Sequence, residues 1–343
     1  MPFTPGFNFN EATNLLALSA YIEGVRTLPL PLNWKLIFDS PVLLPFDNKW
    51  QLWQNTSSDS RAGTYAIVIR GTVDQNGSIL EDLISLLIQA TGSITVDGVS
   101  VDYKFAADPI PNEPPPSVHL GFALGTLLLL KFPLFGILAQ LALKVPQGSN
   151  IYITGHSQGA ASATLLRSYL HYGADRTTKN YSYKTYAFAQ PKPGNDHYAT
   201  DFESLFCNTG LAFRVTNSLD WVPQGPFTIE IPSDLNIPNP LSVLTTLTAE
   251  QSAALNALQS SQVGVIKSIL PAIQTAFQPT LRLRLSKPKT PLWSVRLHSS
   301  SRSFFRFILL APRRKLRLSE RRASVPRNAV ICFSNTMPPP ITH

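Results

Sequence analysis

The chain is poor in the residues that hold metals and cross-links. Its 343 residues include only 2 cysteines, Cys207 and Cys332, far apart and in no metal-ligand spacing. They read as two free thiols, which sets aside a disulfide-stapled scaffold. No His/Cys/Asp cluster suggests a transition metal, so neither a metal nor another cofactor is expected. A basic leader is also missing: Glu11 and Asn14 fall where a secretory apolar stretch would run. The longest apolar stretch, 120–143, is interrupted by Gly121, Gly125, Lys131, Pro133 and Gly136. It predicts a packed helix at about 122–143 rather than a membrane span. With neither leader nor span in view, the default expectation is a cytoplasmic protein. No internal repeat occurs.

Acidic residues are nearly missing from one end. Residues 281–343 hold 14 Lys and Arg against 1 Glu, with no Gly and no Asp, whereas residues 1–280 hold 15 against 20. A mildly acidic body is therefore followed by a strongly basic tail, and the net +8 describes neither. This excludes reading the whole chain as a nucleic-acid binder from its charge. The tail shows no recognised nucleic-acid fold, and no specific nucleic acid is expected as a partner. It has two readings: a disordered basic arm, or a stretch not under selection for folding, such as an out-of-frame translation. The expected organisation is one folded domain over 1–280 and an irregular tail over 281–343. Oligomeric state is not legible.

What the body does contain is a rhythm of elements. A 44% hydrophobic composition permits a sizeable core. Helical spacing over 11–23 (Leu15, Leu16, Leu18, Ala20, Tyr21) is followed by strand-like runs at 34–38, 50–54 and 65–69. Residues 78–90 (SILEDLISLLIQA) carry a narrow polar stripe of Glu81, Ser85 and Gln89 on an otherwise apolar helix. A hairpin and a Pro-rich loop follow at 91–117. From 118 helices and strands alternate: a helix at about 122–143, a strand at 151–154, a helix at about 159–172, then strands at 185–189 and 212–216. Such alternation predicts a mostly parallel sheet with helices on both faces, and antiparallel strands near the N-terminus. Residues 241–278 read as a helical insertion interrupted by Pro271.

The strongest chemical signal is Gly155-His156-Ser157-Gln158-Gly159, a G-x-S-x-G pentapeptide between a strand and an amphipathic helix. The turn from strand to helix is so sharp that side chains two residues either side of the serine would collide, hence the glycines. Ser157 then needs an imidazole to take its proton, a carboxylate to orient that imidazole, and donors for the oxyanion. The N–H of Gln158 at the helix start is one donor. The strand end 66–72 (AIVIRGT) offers Thr72, by N–H and hydroxyl, as a second; the alternative is an ordinary strand ending at a glycine. Asp220, in the loop beyond the strand at 212–216, is either the carboxylate or an Asx-type turn residue beside Asn217 and Ser218.

IRGT, HLGF at 119–122, GHSQGA at 155–160, YAFAQPKPGN at 186–195 and RVTNSLDWVP at 214–223 occur in this order. Together they resemble the class-3 triacylglycerol lipase family over about residues 11–226. The resemblance implies an α/β-hydrolase fold, an oxyanion donor at Thr72, the nucleophile at Ser157 and the triad carboxylate at Asp220. Lys192 departs from the arginine more usual there. The family order Ser, Asp, His requires the base after Asp220. His119, His156, His171 and His197 all precede it and read as structural. His298 and His343 remain, and His298 is the candidate base, although VRLHSSSRS does not match the family's histidine loop.

The expected function is therefore hydrolysis of acylglycerols or related lipid esters through an acyl-enzyme. The alternative is a catalytically impaired lipid-binding relative that lacks a proper histidine. The partners implied are a lipid ester and, transiently, a membrane or lipid interface. Residues 78–90 fit a lid over Ser157 or, equally, a core helix, and 241–278 is a second candidate cover.

Overall fold

A computed structural model describes residues 2–43, 46–57, 63–72, 87–96, 99–174, 180–225 and 329–331. The candidate base His298, His343, the helical insertion at 241–278 and residues 78–86 of the candidate lid lie outside the described residues. So does the tail apart from 329–331.

Helix α1 (Phe9–Ile22) opens the fold, and the side chain of Asn8 caps it by accepting from the N–H groups of Asn10 and Glu11. Such a cap contributes about 1 kcal/mol. Strands β1 (Trp34–Asp39), β2 (Trp50–Asn55) and β3 (Thr64–Ile69) follow as an antiparallel meander. Next come β4 (Leu87–Gln89), the hairpin β5 (Thr91–Val96) and β6 (Val99–Lys104), and the short β7 (Ser117–His119). Helices α2 (Leu120–Lys131) and α3 (Ile137–Lys144) lead into β8 (Asn150–His156) and α4 (Gln158–Tyr172). Then come β9 (Ser182–Phe188), α5 (Asp196–Phe202), which runs into one π-helical turn to Cys207, and β10 (Ala212–Asn217).

Seven strands make one sheet in the order β1-β2-β3-β8-β9-β10-β11, where β11 is Ala329–Ile331 from the basic tail. Strands β3, β8, β9 and β10 are parallel, while β1, β2 and β11 run antiparallel to their neighbours. This is an α/β-hydrolase-type sheet. Alternation along the strands sorts side chains into two layers. Tyr65, Ile67, Ile69, Ile151 and Ile153 pack toward α2, α3 and α4. Ala66, Val68, Tyr152, Tyr186 and Phe188 pack toward Leu15, Leu18 and Ile22 of α1. Each such aliphatic side chain stabilises the fold by roughly 1.5–3 kcal/mol when buried. Helix α4 lies close on the sheet because its first turns are small: Gly159, Ala160, Ala161 and Ala163 are all buried.

Two expectations need correction. The single helix at 122–143 is two helices. Pro133 has no N–H to donate and disfavours helix at the residue before it, and Phe132 is indeed extended (φ −56°, ψ 129°). Leu134 takes φ 65°, and Gly136 then caps α3. The helical reading of 78–90 fails at its end, because Leu87–Gln89 pairs with β7 as a strand. The β-ladder to Ser117–His119 overrides the local periodicity. Among the described residues, no helix is long and apolar enough to cross a membrane.

Candidate active site

The parallel registers Ile69↔Gly155, His156↔Phe188 and Val215↔Phe188 bring the carboxyl ends of β3, β8, β9 and β10 to one edge of the sheet. Ligands of open α/β sheets bind at that edge. Ser157 follows β8, Thr72 lies just past the end of the adjacent β3, and Asp220 lies past β10, two strands away. Two strand spacings amount to roughly 10 Å.

Ser157 has φ 55° and ψ −129°, a conformation that costs a non-glycine residue about 1–3 kcal/mol. The surrounding contacts hold it there. Its N–H donates to the Phe188 carbonyl at 2.9 Å, and its own carbonyl accepts from Ala160 N–H at 2.9 Å. A Cβ on Gly155 would run into the Gly159 carbonyl, and one on Gly159 would run into the Ile69 carbonyl and Arg70 backbone. The pentapeptide glycines therefore serve two contacts: the elbow on itself, and α4 against β3. Gln158 is the first residue of α4, where the N–H groups and the helix dipole favour an anion.

The second donor strand ends equally tightly. A Cβ on Gly71 would stand 2.5 Å from Glu23 Oε1 and 2.6 Å from the His156 carbonyl. Thr72 is half-buried directly after it. Glu23 was not legible as a site residue. It is the C-cap of α1, where a carboxylate meets the negative end of the helix dipole, so its placement depends on a tertiary partner. That partner is His156, with Nδ1 3.2 Å from Glu23 Oε1 and both side chains largely buried. Burial pushes the His156 pKa down. The hydrogen bond and charge of Glu23, with the charge of Asp220, outweigh this and leave it raised. The reading of His156 as a structural flank is thereby sharpened: it is an imidazole paired with a carboxylate, one residue from the nucleophile.

Asp220 makes the Asx-type turn of one of the two sequence readings. Its Oδ1 accepts from Val222 N–H at 3.0 Å, an Asx-type turn, while the residue is also half-buried. Burial raises its carboxyl pKa, and the Val222 N–H and the charge of His156 oppose the rise. The four described histidines lie as follows. His119 is buried with its ring against Phe122, and His156 pairs with Glu23. His171 lies near the far end of α4 against Phe206, roughly 20 Å along the helix from Ser157. His197 sits on α5.

Residues 66–230 match the model of the family described as lipase (class 3). The match spans just under half of the chain. No curated protein sequence matches the chain. Among solved structures, M37 lipase is 20% identical over 67% of both chains, with a TM-score of 0.46. Lip2 lipase of Yarrowia lipolytica is 20% identical over 66% of this chain and 78% of its own, at 0.41. A triacylglycerol lipase of Penicillium expansum is 16% identical over 63% of this chain and 72% of its own, at 0.40. The structure also holds a cavity of about 340 Å³ between α4, α5 and β10, lined by Thr164, Thr185, Gln190, Phe202 and Phe213 among others. Its lining includes none of Ser157, Thr72 and Asp220, so it is separate from these candidate catalytic residues.

Proposed function

We propose that the chain hydrolyses carboxylic esters of acylglycerols or related lipids, with Ser157 as nucleophile. The match of residues 66–230 to the lipase family model supports ester hydrolysis in general. The observation that carries the finer reading is the left-handed backbone of Ser157 at the start of α4, beside the end of β3. Oγ attacks the ester carbon, and its proton passes to an imidazole oriented by Asp220. The N–H of Gln158 with the N–H and hydroxyl of Thr72 stabilise the tetrahedral oxyanion. The alkoxide leaves with that proton, and water releases the acyl group by the same steps in reverse. The base in this scheme is His298, the histidine after Asp220 that family order assigns. A lipid interface is the expected site of action.

A second reading is favoured by one observation: the four described histidines precede Asp220, and the rings of His119, His156 and His171 are engaged elsewhere. It holds that the chain is an impaired relative in which the oxyanion hole and binding alone act, giving only about 10³–10⁴-fold over water. Turnover of a chromogenic short-chain ester by the parent, Ser157→Ala and His298→Ala separates the two. The triad predicts losses of up to about 10⁶-fold in either variant. Full activity in Ser157→Ala contradicts the proposal. A slow parent that His298→Ala leaves unchanged establishes the second reading.

A further inference from the structure

Three elements meet behind the elbow: the C-terminal end of α1, the end of β3 and the end of β8. The carboxylate of Glu23 touches two of them at once. One oxygen faces His156 Nδ1 at 3.2 Å and stands where a side chain on Gly71 would go. Gly71 precedes the candidate donor Thr72, and His156 precedes Ser157 and Gln158. The spacing between the two oxyanion donors therefore depends on where Glu23 holds His156.

We propose that Glu23 and His156 are positioning residues of the hydrolytic site, a hydrogen-bonded pair that fixes the oxyanion loop against the nucleophile elbow. This rests on the reading of Ser157, Thr72 and Asp220 given above. The charged groups around the pair, among the described residues, come from each packed element: Glu23 from α1, Arg70 from the end of β3, whose charge acts on Glu23, and Asp220 from the loop after β10. Glu23 hydrogen-bonds the imidazole, and the charges of Glu23 and Asp220 raise its pKa against burial. The charge of His156 in turn opposes the rise that burial causes at Asp220. An ionised Asp220 is what a triad imidazole needs.

Glu23→Gln keeps shape and hydrogen-bonding reach and removes the charge. The full chain with isotope-labelled histidine reports the His156 titration by NMR, independently of turnover. The midpoint is expected to fall in the variant. Turnover of the short-chain ester should lose about 10- to 100-fold in kcat, the scale of a small misplacement remote from the chemistry, with KM little changed. The acid limb of the rate profile should move to higher pH, because less charge on His156 then opposes the rise at Asp220. The rate of fluorophosphonate labelling at Ser157 should fall in parallel. A His156 midpoint that Glu23→Gln leaves in place overturns the pair. A shifted midpoint with unchanged kcat, labelling rate and acid limb overturns its positioning role. If Glu23→Gln does not fold, His156→Gln keeps an amide toward Glu23 and must move kcat and the acid limb the same way; an unmoved limb overturns the proposal. A parent with neither turnover nor labelling overturns the hydrolytic reading instead, and the titration then judges the pair alone.

Discussion

At Ser157 the backbone is held in a region that its side chain disfavours, because the oxygen must stand clear of both strand and helix. The cost is local and the support is spread over Phe188, Gly155 and Gly159. The pentapeptide made this legible, since the collision that excludes side chains is fixed by chain geometry alone. Glu23 was not legible, because nothing in its local sequence shows that α1 ends beside the elbow. At Thr72, Thr72→Val keeps volume and backbone but removes the hydroxyl. Turnover should drop by about 10²–10³-fold with the urea midpoint unchanged; an unchanged rate would leave only the backbone contributing there. The raised pKa of His156 also makes a stability statement. Its folded value lies above the ordinary value of about 6.5. Its contribution is therefore complete below that pH and is lost as pH rises through the folded value. Urea titrations across this window should show stability declining with pH, and Glu23→Gln should flatten the decline.

At the scale of elements, α1 is tied to the sheet by a polar contact as well as by Leu15, Leu18 and Ile22. Lys184 of β9 is almost wholly buried, and its Nζ lies 2.7 Å from Glu11 Oε2 and 3.1 Å from the Thr4 carbonyl. The Tyr186 hydroxyl donates to the same Glu11 oxygen at 2.6 Å. Lys184→Met should destabilise the protein by about 3 kcal/mol, read from the urea midpoint, because it strands a partly buried carboxylate. Adding Glu11→Gln should recover part of that loss, and strict additivity would contradict the coupling. The strands β1, β2, β3, β8, β9 and β10 were legible because aromatic and branched runs alternate with turn residues. The break between α2 and α3 was underestimated, since Leu124 to Leu130 suggested continuity while Pro133 carried the decisive constraint. Helix α5 was missed because it is seven residues long and its signal, the Asn195 cap accepting from Tyr198 N–H, is tertiary in part: the same side chain also accepts from Ser117 N–H.

For the molecule as a whole, Thr72, Ser157, Gln158, Asp220 and the family match fall in the acidic body, while the candidate base His298 and the densest cations lie beyond residue 280. The tail's composition revealed its charge but not its pairing: Ala329–Ile331 lies antiparallel to β10 as the last strand of the sheet. Three apolar residues are too few for a period, so that strand could be found only through its neighbour. One serine of the chain, presented by the body's sheet edge, is proposed to carry the chemistry. Labelling the full chain with a fluorophosphonate probe and mapping the modified peptide measures this directly. A single adduct is expected, on Ser157, abolished in Ser157→Ala. Modification at another serine, or an unlabelled parent, would contradict it.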